Sequence, residues 1–339
     1  MASKKYLLFI LIQLVVLRVS AQSFAPVNKN ASPEARQLLK YLYSIKGKNI
    51  ISGQHNFNNQ PNTFSDSARA ITGKYPALWG SDFIYSWTSD LGQDVVNQAI
   101  QKWKDGYMVT LMWHQGRPTD DPPYEWLTSI QGKLTDEQWT ELTTDGTPLH
   151  TRWLAQVDKV AGWLKQLNDA HVPVLWRPYH EMNGVWFWWG NKKGKDGIQK
   201  LYKMMYDRYV NYFHLDNLIW VWGANGLRDI PFDEAYTYKD YYPGPEYVDI
   251  LGADVYHFDY EQKDYNELKQ LANGKLMALT ETGELPTPKV LSVQPEWAYF
   301  MVWSDFIYND NKHDRVQQVY GLPQALNHDE VKPAVDAMK

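Results

Sequence analysis

Apolar residues along this chain fall into two kinds of pattern that alternate. Short, nearly continuous apolar runs occur at 49–53, 77–80, 107–113, 172–176, 217–222, 248–253, 276–280 and 298–303. Runs of this length without alternation fit strands covered on both faces, the habit of a parallel sheet. Between them, apolar residues recur at helical spacing over 93–104, 149–170, 198–213 and 265–272. Another helix opens at Ser32-Pro33-Glu34, where a capping hydroxyl precedes a proline at the first helical position. Eight strands with helices between them predict an α/β fold of the (β/α)8 barrel type, as a single domain. An open, doubly wound sheet is the second choice, because no glycine-rich phosphate loop follows any strand. After the N-terminal segment there is no low-complexity stretch, linker or short repeat, as expected of one catalytic domain.

The barrel reading makes polar residues at the C-terminal strand ends informative, because such barrels carry their functional groups there. Gln54 and His55, Asp82, His114, His180 and Glu181, Asn225, Asp254 and Tyr256, Glu281 and Trp303 each follow an apolar run within a few positions. This distribution points to an enzyme.

The first residues change the picture of where it works. Lys4 and Lys5 precede an apolar core too short to span a bilayer comfortably, and Val19-Ser20-Ala21 offers small residues for signal peptidase. Residues 1–21 are expected to be a cleaved secretory signal and 22–339 the catalytic domain, with an extracellular or periplasmic destination and no membrane attachment afterwards. There is no cysteine, so stability has to come from a large core rather than from disulfides. The net charge of −5 and scattered basic residues offer no surface for nucleic acid. The 16 tryptophans, 23 tyrosines and 11 phenylalanines exceed what a core needs, which suggests that some rings line a binding surface.

The densest aromatic stretch is WRPYHEMNGVWFWWG, from Trp176 to Gly190. It places Glu181, with His180 beside it, just past the fourth apolar run. Indoles present flat apolar faces to pyranose rings, and an apolar setting raises the pKa of a carboxyl group. Sugar cleavage needs a second carboxylate, and Glu281 supplies one at the end of the seventh run. Strands four and seven face each other across a barrel mouth. A purely structural alternative makes Glu281 a buried acid paired with an arginine such as Arg177. Asp254 is a competing acid, and its setting in Gly252-Ala253-Asp254-Val255-Tyr256 suits a supporting hydrogen bond.

On these residues the chain resembles glycoside hydrolase family 26, chiefly β-mannanases of a retaining (β/α)8 clan. The resemblance covers essentially the whole chain after the leader. It runs through Ile51-Ser52-Gly53-Gln54-His55, Trp113-His114, Arg177-Pro178-Tyr179-His180-Glu181-Met182-Asn183-Gly184, Gly252-Ala253-Asp254-Val255-Tyr256 and Thr280-Glu281-Thr282-Gly283. It implies Glu181 as acid/base and Glu281 as nucleophile. It also implies that His114 and His180 contact the sugar, His180 near the axial 2-hydroxyl. Tyr256 would orient the nucleophile, Trp186 would flank the leaving-group side, and Trp303 would form the floor at the cleavage point. Some family members carry Arg directly after that tryptophan to grip the next sugar; here Ser304 and Asp305 follow.

The expectation is therefore a monomeric endo-β-1,4-mannanase acting on β-mannan and manno-oligosaccharides, with no cofactor and no metal in the chemistry. Exo-acting release of mannobiose, or action on β-glucan or β-1,3-xylan, are alternatives within the same family. Trp188 and Trp189 are either packing or distal sugar platforms. A sugar-binding protein without catalysis would not need two opposed acids. A zinc hydrolase built on His55, His114, His180 and His257 is disfavoured, because no His-x-His or His-Glu-x-x-His spacing occurs. A serine esterase lacks its Gly-x-Ser-x-Gly elbow.

Overall fold

The computed structural model describes residues 25–83 and 90–339. The expected leader lies outside them. Eight strands, all parallel, form the centre: β1 Ile50–His55, β2 Leu78–Phe83, β3 Met108–Trp113, β4 Val174–Pro178, β5 Leu218–Asn225, β6 Ile250–Val255, β7 Leu276–Thr282 and β8 Trp297–Val302. Each pairs with the next in sequence, and β1 pairs with both β8 and β2, so the sheet closes on itself. A two-residue strand, β9 Ala325–Leu326, pairs with Ile50 and Ile51, the start of β1. Helices lie between the strands, which makes this the (β/α)8 barrel expected from the sequence.

Every residue of β1 to β8 is buried, which explains why the runs read as continuous rather than alternating. The capping chemistry is legible residue by residue. Ser32 Oγ accepts from the Ala35 amide at 3.2 Å, with Pro33 opening the helix Pro33–Ile45. Thr147-Pro148 and Thr287-Pro288 repeat the device for Pro148–Asp169 and Pro288–Val293. The segment expected as one helix over 198–213 is α-helical over Ile198–Asp207 and continues as a wider π-turn over Arg208–Tyr212. Among the described residues, no helix is long and apolar enough to cross a membrane.

Two local features shape the barrel mouth. Ala253 pairs with Leu279 but Asp254 pairs with Glu281, so Thr280 is an extra residue in β7. Such a bulge re-aims the side chains beyond it, here Glu281. The second feature is interior space. A Cβ on Gly223 would meet Arg177 Cδ at 2.9 Å, and one on Gly252 would meet Thr280 Oγ1 at 2.3 Å. These glycines leave room for the buried Arg177 side chain and the Thr280 hydroxyl among four strands, β4 to β7.

Candidate active site

A cleft of about 380 Å³ opens at the C-terminal strand ends. Its lining includes the seven residues expected to act in catalysis or sugar binding, His114, His180, Glu181, Trp186, Tyr256, Glu281 and Trp303. One carboxylate oxygen from each of Glu181, Asp254 and Glu281 lies within 4.8 Å of the other two.

Glu181 sits one turn past β4 on a tightly held backbone. Tyr179 and Glu181 both adopt positive φ, 47° and 53°. For non-glycine residues this costs on the order of 1–3 kcal/mol and persists only where the surroundings enforce it. Here the Glu181 amide donates to Gly223 O at 2.8 Å, and Trp189 Nε1 donates to His180 O at 2.8 Å. Trp153 Nε1 donates to the Tyr179 hydroxyl at 2.8 Å. The Glu181 carboxylate accepts from Asn225 Nδ2 on Oε1 and from Trp186 Nε1 on Oε2, each at 2.7 Å. Burial, followed by the charge of Glu281, pushes its pKa up to about 7, although Asn225, Trp186 and Arg177 pull the other way.

Glu281 has different partners. Arg177 Nη2 donates to its Oε1, and the Tyr256 hydroxyl donates to Oε2 at 2.6 Å. Arg177 also donates from Nη1 to Asp254 Oδ2 at 2.9 Å, and Thr280 Oγ1 donates to Asp254 Oδ1 at 2.5 Å. The pairing offered as a structural alternative for Glu281 is thus present, and it coexists with exposure to the cleft. Asp254 is completely buried beneath, with both oxygens bound. Its burial drives its pKa well above the ordinary range; Arg177 opposes this, and the charges of Glu281 and Glu181 add to it. Three carboxylates this close could hold a cation, but the Arg177 guanidinium already supplies positive charge to two of them.

Two histidines, His114 and His180, line the cleft, and His55 stands behind it. His114 Nδ1 bonds Asp82 Oδ2, and its amide donates to Asp82 Oδ1 at 3.1 Å. The His180 ring packs edge-on against His114 with centroids 4.4 Å apart. Burial first, then the proximity of His114, Arg177 and His55, holds His180 well below the usual imidazole range, so it is a neutral ring near pH 7. His55 stacks beneath Trp303 at 3.9 Å and 18°, and its Nδ1 meets Ser304 Oγ at 3.1 Å. Ser304 is fully buried, so the position after Trp303 serves the support of that ring. Trp188 and Trp189 are also buried, at 1% and 0% exposure, which makes them packing rather than platforms.

Over residues 27–330 the sequence matches the profile of Glycosyl hydrolase family 26. The chain belongs to this family. A family 26 structure, GH26A from Muricauda sp. MAR_2010_75, superimposes with a TM-score of 0.88 at 55% identity, covering 90% of this chain and 99% of that one. The Podospora anserina GH26-CBM35 β-(1,4)-mannanase superimposes with a TM-score of 0.78 at 33% identity, over 92% of this chain and 70% of that one. A mannan endo-1,4-beta-mannosidase of Thermothelomyces thermophilus is 36% identical over 320 residues, 90% of this chain and 63% of its own length. This chain spans 48% and 53% of the length of two similar Piromyces sp proteins with that activity name.

Some of the family 26 cleft escaped the sequence reading. Trp126 and Gln131 reach it from the segment after β3, Arg228 and Asp233 from the segment after β5, and Phe306 from beyond β8. Nothing in local periodicity marks these residues, because each reaches the cleft through loop geometry. His257, a metal-ligand candidate on sequence grounds, lines the same cleft. Asn225 reads in the sequence as a polar strand end, but its bond to Glu181 depends on two strands meeting.

Proposed function

We propose that this chain is a retaining endo-β-1,4-mannanase. The observation that carries the reading is the approach of Glu181 and Glu281 to within 4.8 Å across the cleft. Retaining glycosidases hold their carboxyl pair about 5–5.5 Å apart, whereas inverting ones need about 6.5–9.5 Å to admit water. The names of the similar proteins support mannan as the substrate. The leader expected over residues 1–21 supports export.

In this reading Glu281, oriented by Arg177 and Tyr256, attacks the anomeric carbon while the carbon–oxygen bond to the leaving sugar breaks. Glu181 enters protonated, consistent with a pKa of about 7, and gives that proton to the departing oxygen. A glycosyl ester forms on Glu281 and its charge disappears. The second-largest cause raising the Glu181 pKa is then gone, and the Asn225 and Trp186 hydrogen bonds favour its ionised form. Glu181 takes a proton from water, and the resulting hydroxide displaces Glu281 with net retention. Trp303 stacks under the sugar at the cleavage point, and neutral His180, with His114, faces the 2-hydroxyl. Trp186 lies on the leaving-group side, because it is bonded to the proton donor.

The test is a time course on linear mannan, galactomannan, mixed-linkage β-glucan and β-1,3-xylan, with the anomer of the first product read by NMR. Mixed β-anomeric manno-oligosaccharides appearing early are expected. Mannobiose alone from the start would make the enzyme exo-acting; glucan or xylan cleavage would overturn the substrate. Glu281→Ala is expected to abolish turnover while keeping oligosaccharide binding. Glu181→Ala should spare activated aryl mannosides far more than polymer, and equal losses on both would count against Glu181 as the proton donor.

A further inference from the structure

The turn Ile230-Pro231-Phe232-Asp233 is closed by the Asp233 amide donating to Ile230 O at 2.9 Å. Proline in second position and a positive φ of 69° at Phe232 give it the pattern of a type II turn, whose third position ordinarily takes glycine. Phenylalanine there is unfavourable twice over. Its backbone sits in a region that L-residues avoid, and the residue is 95% exposed. Ile230 beside it is also exposed. An exposed apolar pair on strained backbone calls for a partner that covers it.

The surroundings hold this tip rigidly against the cleft. Arg228 donates from Nε to Asp233 O at 3.0 Å and from Nη2 to Asp233 Oδ1 at 2.8 Å. Arg228 and Ala235 exchange both backbone hydrogen bonds, and the Tyr236 amide donates to Asn183 O at 3.0 Å. The Arg228 guanidinium lies 4.9 Å over the Trp186 ring. Arg228 and Asp233 both line the cleft, so the tip between them is continuous with it. The side is fixed by the bond from Trp186 to Glu181, which puts this turn where the leaving part of the substrate departs.

We infer that Phe232, with Ile230 beside it, is a stacking platform for the mannan chain on the leaving-group side, beyond the sugar covered by Trp186. This inference rests on the mannanase reading. The preset turn means the ring is offered without a loop having to order on binding, which lowers the entropy cost of the contact.

The experiment compares kcat/KM on linear mannan with kcat/KM on an aryl mannobioside, whose leaving group is too short to reach the tip. In Phe232→Gly the mannan-to-aryl ratio is expected to fall about fivefold, through KM rather than kcat, with a thermal midpoint no lower than wild type. A fivefold loss corresponds to about 1 kcal/mol, within the range of an aromatic contact. Phe232→Trp should restore the ratio. An unchanged ratio in an active Phe232→Gly enzyme overturns the platform and leaves the mannanase reading standing. A wild type that cleaves neither substrate overturns both. Concentration-dependent self-association of wild type that Phe232→Gly removes, with the ratio unchanged, assigns the tip to contact between copies and also overturns the proposal.

Discussion

Replacing Asn225 by leucine isolates what sets the proton affinity of Glu181. The amide donates to Glu181 Oε1 at 2.7 Å from a position only 2% exposed. Leucine keeps the branched outline of asparagine but removes the donor and makes the surroundings more apolar. Both changes disfavour the ionised carboxylate, so their signs agree. Hydrogen bonds to charged groups contribute about 1.5–3 kcal/mol, and one pKa unit is about 1.4 kcal/mol, so a rise of about one unit or more is expected. In wild type, the basic limb of kcat/KM should fall through the Glu181 pKa of about 7, because the donor of the leaving-group proton is then lost. Asn225→Leu should move that limb to higher pH, with the acidic limb in place. It should also slow breakdown of the glycosyl ester, since a carboxylate whose ionised form has lost a partner is less often available as base. Profiles from pH 4 to 10 on mannopentaose, with burst kinetics on an activated aryl mannobioside, would show both effects. A basic limb that stays put or moves down would refute the assignment of that limb to Glu181.

Two further substitutions probe the scaffold beneath the pair. Arg177→Met leaves Asp254 and Glu281 buried without their shared cation, and the unfolding free energy in urea should fall by about 3–5 kcal/mol. Gly252→Ala places a methyl 2.3 Å from Thr280 Oγ1. It should cost about 1–3 kcal/mol in thermal denaturation and lower kcat, because Thr280 holds Asp254 behind Glu281, the proposed nucleophile.

The sequence revealed the layers of this fold better than the ends of its elements. Each apolar run overlaps one barrel strand, since residues buried on both faces leave a continuous hydropathic signature. Six of the eight runs stop short, however. The first run ends at Gly53 but β1 continues to His55; the fifth ends at Trp222 but β5 reaches Asn225. Gln54, His55 and Asn225 among the missing residues are polar and buried, and hydropathy treats polarity as an end of burial. Gln54 shows why that fails: its Nε2 donates to His55 O, Val302 O and Ser304 O at 3.0–3.1 Å, so hydrogen bonds replace water. The same blind spot hid Asn225 as a partner of Glu181, and it left open whether Arg177 paired with Glu281 as structure or as chemistry.

The bulge in β7 shows why that last question could not be answered from residue types alone. Had Thr280 paired in register, Glu281 would have followed the simple alternation of the strand. The extra residue instead lets consecutive side chains serve one site, with Thr280 bonding Asp254 and Glu281 reaching the cleft and Arg177. Arg177 then binds a fully buried acid and a cleft-lining one with the two ends of one planar fork. Among the described residues, Glu181 has no such cation in contact, and its carboxylate accepts from two neutral N–H donors. The two glutamates, alike in sequence, therefore meet unlike partners. That asymmetry, made by one inserted residue and two interior glycines, separates a group suited to attack from one suited to give and take a proton.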